Sequence, residues 1–237
     1  EVLQLAETEK PVPKEYEILV KIHATTVTSA DSRLRAFNIP SLLFWLPGRL
    51  YSGLLKPKPT LLGVELAGVV EAIGSGVTQW QPGDRVIAFP AGRAAAYAEY
   101  TCLAETEVIA RMPSNVPFGQ AAALPFGAST ALYFLRDLGK IQPGQHVLVN
   151  GASGCVGTNA VQLAKHFGAR VTGVCGSTNV ELVRSLGADH VVDYTKDDFT
   201  KNENTYDLVF DTVGKTSFYR CKRTLKENGV FLPCVLT

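Results

Sequence analysis

Apolar and polar positions follow two different rhythms along this chain. In the first half, short apolar runs alternate with Gly/Pro turns. Residues 17–24 (Glu-Ile-Leu-Val-Lys-Ile-His-Ala) read as a strand, and residues 63–73 as another, interrupted by Gly68. Gly74-Ser-Gly76 and Pro82-Gly-Asp84 are turn signals. Residues 85–89, 97–102 and 108–111 supply three further strands. Short strands broken this often predict a barrel-like β domain. From Pro117 the rhythm changes. Residues 121–124 and 129–138 read as helical, and strand and helix then alternate through Asp211. That alternation predicts a parallel sheet. The chain is therefore expected to be α/β, with a β-barrel domain over residues 1–116 followed by a doubly wound domain over 117–237. The boundary falls within 114–120.

The segment Val147-Leu-Val-Asn-Gly-Ala-Ser-Gly-Cys-Val-Gly157 carries the strongest chemical signal. An apolar strand runs into three glycines spaced i, i+3, i+6. Val156, Ala160, Leu163, Ala164 and Phe167 then recur at helical spacing, and Gly168 ends the helix before a new strand at residues 170–174. A glycine turn of this kind sometimes serves only to join a strand to a helix. Inside a βαβ unit of this size it points to a dinucleotide. Gly151 permits the sharp turn, Gly154 lets backbone amides approach a pyrophosphate, and Gly157 lets helix and strand pack closely. The amides of Ser153, Gly154, Cys155, Val156 and Gly157 then form the expected phosphate cradle at a helix N-terminus.

Composition narrows the class. The chain has 237 residues, 46% hydrophobic and 19% charged, which suits a globular protein of two domains. A net charge of +1 gives no electrostatic case for binding nucleic acid. Cys102, Cys155, Cys175, Cys221 and Cys234 are scattered with no C-x-x-C pair, as in a reducing compartment. The longest apolar run, Leu42-Leu-Phe-Trp-Leu46, lies between Pro40 and Pro47 and is far short of the roughly 20 residues that cross a bilayer. Stable membrane insertion is not expected. With no basic-then-apolar leader at the start, the expected location is the cytoplasm.

Several segments together resemble the medium-chain dehydrogenase/reductase superfamily, in its zinc-free quinone oxidoreductase (zeta-crystallin-like) branch. They are His23-Ala-Thr-Thr-Val-Thr-Ser-Ala-Asp31, Gly63-Val-Glu-Leu-Ala-Gly-Val-Val70, Pro82-Gly-Asp-Arg-Val86, Ala96-Tyr-Ala-Glu-Tyr100, Leu124-Pro-Phe-Gly-Ala-Ser-Thr-Ala131, the glycine loop, Ser185-Leu-Gly-Ala-Asp189 and Asp211-Thr-Val-Gly214. Each is weak alone, but their order and spacing are specific and cover nearly the whole chain. The resemblance implies a GroES-like β-barrel domain followed by a Rossmann-type domain. Against the family the chain is expected to lack a first strand and the last part of the Rossmann sheet. In zinc-dependent relatives the metal takes Cys, His and Cys; the matching positions here are Thr28, Val64 and Phe126. None of these side chains is a zinc ligand, so no metal is expected.

What remains is hydride chemistry on an acceptor that needs no Lewis acid: a quinone, or the C=C of an α,β-unsaturated carbonyl. The expected substrate is a small hydrophobic electrophile, and the expected assembly a homodimer. The resemblance implies that Thr130 contacts the nicotinamide, though an ordinary helix residue or cap is the alternative. Asp31, with Arg33, borders the substrate cleft in related enzymes, as a catalytic dyad or a structural tie. Tyr51 is either a hydrogen-bond donor to substrate or a plain loop residue. The run at residues 42–46 reads as a lid, a packing segment or a dimer contact.

At the end of the second Rossmann strand, Val174-Cys-Gly-Ser-Thr-Asn179 contains no acid. An acid there normally holds the ribose hydroxyls of NAD. Ser177 and Thr178 are instead expected to receive a 2′-phosphate, so NADP(H) is favoured over NAD(H). Arg184 offers a nearby positive charge or is a solvated helix residue. Tyr194 matches a position near the adenosine phosphate, or packs at a strand end. Val213, past the strand at residues 206–211, is expected to border the nicotinamide ribose. Asp207 and Asp211 suit capping and turn roles better than a catalytic pair. The competing functional class is a non-catalytic nucleotide-binding relative with the same fold.

Overall fold

The computed structural model describes residues 4–28, 31–32, 62–90, 95–201 and 205–235. By its contacts the chain divides into two compact units, Glu1–Pro125 and Phe126–Thr237.

The first unit is built on an antiparallel sheet of five strands: β1 (Glu17–Thr25), β2 (Leu66–Ile73), β3 (Arg85–Phe89), β4 (Tyr100–Ala104) and β5 (Val108–Arg111), in the order β4-β1-β2-β3-β5. Its core holds Ile18, Val20, Leu66, Val70, Val86, Ala88 and Leu103. Two strands start later than their apolar patterns predict. β2 begins at Leu66 rather than residue 63, because Gly63 sits at φ +91° and its carbonyl takes the amides of Ala95 and Ala96. β4 begins at Tyr100 rather than 97, because the Tyr97 amide is committed to the Leu62 carbonyl. A short helix, α1 (Phe118–Ala121), closes the unit, burying Ala121 with Ala67 and Met112.

The second unit begins in α2 (Pro125–Leu132), where proline suits the first helical turn. A π-helical turn (Tyr133–Leu138) extends α2, ended by the Gly139 amide bonding to the Phe134 carbonyl. Then come β6 (His146–Asn150), α3 (Cys155–His166), β7 (Arg170–Cys175), α4 (Val180–Ser185), β8 (His190–Asp193), β9 (Tyr206–Asp211), α5 (Phe218–Cys221) and β10 (Leu225–Pro233). The sheet is parallel, in the order β10-β9-β6-β7-β8. Strand order reverses between β6 and β9, and ligands bind beyond the carboxyl ends of strands at such a switch point. Both faces are covered, as a parallel sheet requires. Val147, Val149, Leu208 and Phe210 pack with Val156, Ala160, Val161 and Ala164 of α3 on one face. Leu148, Val174, Val209, Phe199 and Cys221 fill the other.

Ionic ties cluster at the opposite, amino end of this sheet. Asp207 accepts from the His146 amide at 2.7 Å and pairs with Lys226 at 2.7 Å. Asp189 accepts from the Val171 amide and pairs with Lys165 of α3 at 2.9 Å. The His146 ring lies 4.7 Å from that of Tyr206 and meets the Thr172 hydroxyl at 2.9 Å. Burial, then the nearby charges of Arg170 and Lys226, pushes its imidazole below the ordinary value, while a hydrogen bond to the Thr205 backbone opposes them. As pH falls through about 6.5, the unfolded chain therefore takes up this proton before the folded one, and stability falls. The urea midpoint should drop between pH 7.5 and 5.5, and by less in His146→Gln; an equal drop in both proteins would remove His146 as the cause.

Candidate functional site

The glycine loop is shaped by close contact rather than by flexibility. β6 ends at Asn150, and Gly151 turns at φ +83° with its amide and that of Ala152 bonded to the Val174 carbonyl. A Cβ on Gly157 would lie 2.0 Å from the Gly151 carbonyl oxygen and 2.8 Å from the Ala152 Cα. α3 therefore enters almost in contact with the turn that precedes it. Gly154, the residue that caps α3, has an extended backbone, and a Cβ there would meet just the Gly151 oxygen, at 3.3 Å. No side chain caps this helix, and the Gly154 amide turns back to the Gly151 carbonyl at 2.9 Å. Val156 is buried in the core beneath, while Gly154 and Cys155 are exposed and Ser153 is half-buried.

Two neighbours in the same unit complete the carboxyl edge of the sheet. Past β9, the Thr212 hydroxyl donates to the Asn150 carbonyl at 2.8 Å, and Asp211 accepts from the Asn150 side chain and from the amides of Val213 and Gly214. Asp211 is thus a turn residue that ties two strand ends together. Val213 comes to rest against Gly151, its Cγ2 2.4 Å from where a Cβ would stand. On the other side, a Cβ on Gly127 of α2 would lie 2.7 Å from the Cys155 carbonyl oxygen and 2.6 Å from the Asn159 side-chain nitrogen. α2 therefore crosses the start of α3 closely. Thr130 follows less than one turn later on α2, half-buried.

At the ends of β7 and β8 the structure adds a residue that the sequence reading did not weigh. No acid stands in residues 174–179, but one arrives from the adjacent strand. Parallel pairing sets Asp193 opposite Cys175. The Ser177 hydroxyl donates to Asp193 Oδ2 at 2.5 Å, and the Thr195 amide and hydroxyl donate to Oδ1 at 3.0 and 2.7 Å. Lys196 adds its ammonium at 3.4 Å. The Ser177 and Thr195 hydroxyls hold this carboxyl well below the usual carboxylate range. Ser177 and Thr178 are exposed. Tyr194 is also exposed, and a methyl on Gly176 would lie 3.5 Å from its hydroxyl. Arg184 is paired with Glu181 on α4. The chemical signal for Asp193 was in the sequence as Val-Val-Asp ending a strand; finding it required the register.

In the first unit, Asp31 is buried and accepts from the Thr28 amide at 2.8 Å, the Thr28 hydroxyl at 2.7 Å and the Gly63 amide at 3.0 Å. This is the geometry of a structural tie between two segments. Glu65 is fully buried and accepts from the Thr26 hydroxyl at 2.6 Å. Arg33, Tyr51 and the apolar run at residues 42–46 lie outside the described residues. Among the described residues no cluster of three or more His, Cys, Asp or Glu is arranged to hold a metal. Thr28 spends its hydroxyl on Asp31, and Phe126 packs on the core of the second unit. These side chains do not fit zinc.

Comparison with known proteins agrees with this geometry. Residues 14–115 match the alcohol dehydrogenase GroES-like domain, and residues 155–234 match the zinc-binding dehydrogenase family. The quinone oxidoreductase of Coxiella burnetii superposes with a TM-score of 0.84 at 30% identity, over 97% of this chain and 70% of that one. The chain belongs to the medium-chain dehydrogenase/reductase superfamily, in its quinone oxidoreductase branch. Within this superfamily it is 34% identical to the chloroplastic NADPH-dependent alkenal/one oxidoreductase of Arabidopsis thaliana, over 92% of this chain and 55% of that protein. It is 35% identical to the 2-methylene-furan-3-one reductase of Solanum lycopersicum, over 97% of this chain and 58% of the relative. The chain thus spans little more than half the length of these two curated relatives.

The contacts at the loop separate two kinds of glycine. Gly157→Ala should lower stability by about 1–3 kcal/mol or more, since the methyl overlaps backbone that cannot move aside. Gly154→Ala should fall within about 1 kcal/mol of the parent. Denaturant titration of the two variants checks this; equal losses would contradict the packing described.

Proposed function

We propose that the protein reduces quinones, or the C=C bond of α,β-unsaturated carbonyls, with NADPH and without zinc. The observation that carries this reading is the uncapped start of α3 behind Gly151–Gly154–Gly157, set at the switch point of a parallel sheet. The activities of the relatives from Arabidopsis and tomato support the acceptor class, and that of the Arabidopsis enzyme the cofactor.

Bound there, the nicotinamide supplies the hydride. The amides of Ser153, Cys155, Val156 and Gly157 would hold the pyrophosphate, while that of Gly154, bonded to the Gly151 carbonyl at 2.9 Å, would shape the loop around it. Val213 would border the nicotinamide ribose and Thr130 the nicotinamide itself. Ser177, Thr178 and Tyr194 would line the adenosine end, where Lys196 places a cation 3.4 Å from Asp193. Asp31 acts by holding the segment at Thr28 to Gly63. The zinc positions Thr28, Val64 and Phe126 carry no thiolate, imidazole or carboxylate, so acceptor activation falls to hydrogen-bond donors. Conjugated acceptors suit that arrangement, because delocalisation already stabilises the enolate or hydroquinone anion that hydride addition creates.

The same reading makes the protein a homodimer of the cytoplasm. Five cysteines, none in a disulfide, support a reducing compartment, and the family resemblance supports the dimer. Among the described residues no helix is long and apolar enough to cross a membrane.

Oxidation of NADPH and NADH should be followed with 1,4-benzoquinone, 9,10-phenanthrenequinone, an alkenal and a simple aldehyde. Quinones or the alkenal should turn over with NADPH at a rate that EDTA leaves unchanged. Turnover of the aldehyde alone, lost on chelation and restored by zinc, would sink the proposal. Gly154→Val should stay folded yet bind NADPH on the order of a hundredfold more weakly, since its side chain occupies the pyrophosphate's approach.

A further inference from the structure

The carboxylate at the end of β8 bears on which nicotinamide the protein prefers, and the argument rests on the dinucleotide reading above. A hydroxyl has one proton to give. Ser177 gives its proton to Asp193 Oδ2 at 2.5 Å, and Thr195 gives its own to Oδ1 at 2.7 Å. The Thr195 amide and the Lys196 ammonium also converge on this carboxylate, whose side chain is 10% exposed. The charge is therefore fixed, nearly buried and well satisfied. Its field reaches the neighbouring strand, where burial and then Asp193 push the Cys175 thiol upward. Ser177, in contrast, is on the surface. With its proton committed inward and the Thr195 hydroxyl 3.1 Å to one side, it presents its remaining lone pair to whatever binds at the end of β7.

That end of the sheet meets the adenosine ribose in a nucleotide-binding domain of this type. The two nicotinamides differ there in hydrogen-bonding sense. A ribose 2′-hydroxyl can donate to the Ser177 oxygen. A 2′-phosphate is an acceptor and an anion; it gains no hydrogen bond from a serine whose proton is already given away, and it faces the Asp193 charge behind that serine. Lys196 and the backbone of the turn at Ser177–Asn179 are left to favour it.

We propose that Asp193 is a specificity-determining residue: by holding Ser177 as an acceptor and placing a negative charge behind it, it limits the preference for NADP(H) and keeps NAD(H) usable. It acts through Ser177 and is thus a positioning residue. Asp193→Asn alters both terms. The amide can donate to the Ser177 oxygen, which frees the serine proton for a phosphate, and the negative charge is gone.

The test is calorimetric titration of the protein with NADP⁺ and NAD⁺, and with 2′,5′-ADP and 5′-ADP, which report on the adenosine end without turnover. In Asp193→Asn the affinity ratio of NADP⁺ to NAD⁺ should rise on the order of tenfold, the size expected for removing one charge a few ångströms away at a hydrated site. The ratio of 2′,5′-ADP to 5′-ADP should rise with it, and the rise should shrink at higher salt. Ser177→Ala, which removes the accepting oxygen and leaves Asp193 to Thr195 and Lys196, should weaken NAD⁺ more than NADP⁺ and move the ratio the same way by a smaller factor. Equal weakening of both nucleotides in Asp193→Asn, together with an unchanged ratio in Ser177→Ala, would overturn the assignment and leave Asp193 a structural residue. Failure of the unaltered protein to bind either dinucleotide would instead overturn the cofactor reading on which the inference rests.

Discussion

The nucleotide-binding unit depends on one steric fact: α3 starts almost in contact with the turn that follows β6. Just 2.0 Å separates the Gly151 oxygen from the place a Cβ on Gly157 would occupy. That approach orients the start of α3 over the carboxyl edge of the sheet. The apolar face of α3, Val156, Ala160, Val161 and Ala164, then locks against β6, β7 and β9. Gly151 and Gly157 leave no room for a side chain and Gly154 carries none, so backbone reaches the surface there between Ser153 and Cys155. Backbone amides at a helix start are suited to an anion and to little else.

The two ends of the parallel sheet divide the ionised residues between separate tasks. At the amino end, Asp189 and Asp207 pair with Lys165 and Lys226 and accept strand amides. These contacts hold α3 and β10 to the strands they flank, away from the carboxyl edge. At the carboxyl end, Asp211 and Asp193 accept mainly from amides and hydroxyls, with Lys196 3.4 Å from Asp193. They shape the turns that follow β8 and β9 at that edge. Similar carboxylates thus stabilise at one edge and position at the other, and strand direction decides which.

Much of this was legible in the sequence because it is local. The switch from short alternating runs to strand–helix alternation pointed to two kinds of domain, and the glycine spacing within a βαβ pattern pointed to the close turn between β6 and α3. The signals that failed are those set by distant partners. Strand β2 begins three residues late because Gly63 is drawn to Asp31 and to Ala95 and Ala96. Strand β4 begins late because Tyr97 is bonded to Leu62. Asp193 escaped notice for the same reason: its partner Ser177 lies 16 residues earlier in the chain and becomes a neighbour through the pairing of β7 with β8.

The position of that acid changes what its absence from β7 means. A carboxylate at the end of β7 would meet the ribose hydroxyls directly and exclude a 2′-phosphate by charge. Moved to β8, it acts one residue deeper, with a serine between it and the ligand. Its charge is partly offset by Lys196, and its hydrogen-bonding capacity is absorbed by Ser177 and Thr195. Discrimination then becomes a matter of degree, set by which way a single hydroxyl points. A sheet of this kind does not need to exchange an acid for a base to alter its nucleotide preference; it can change the partner that holds the serine.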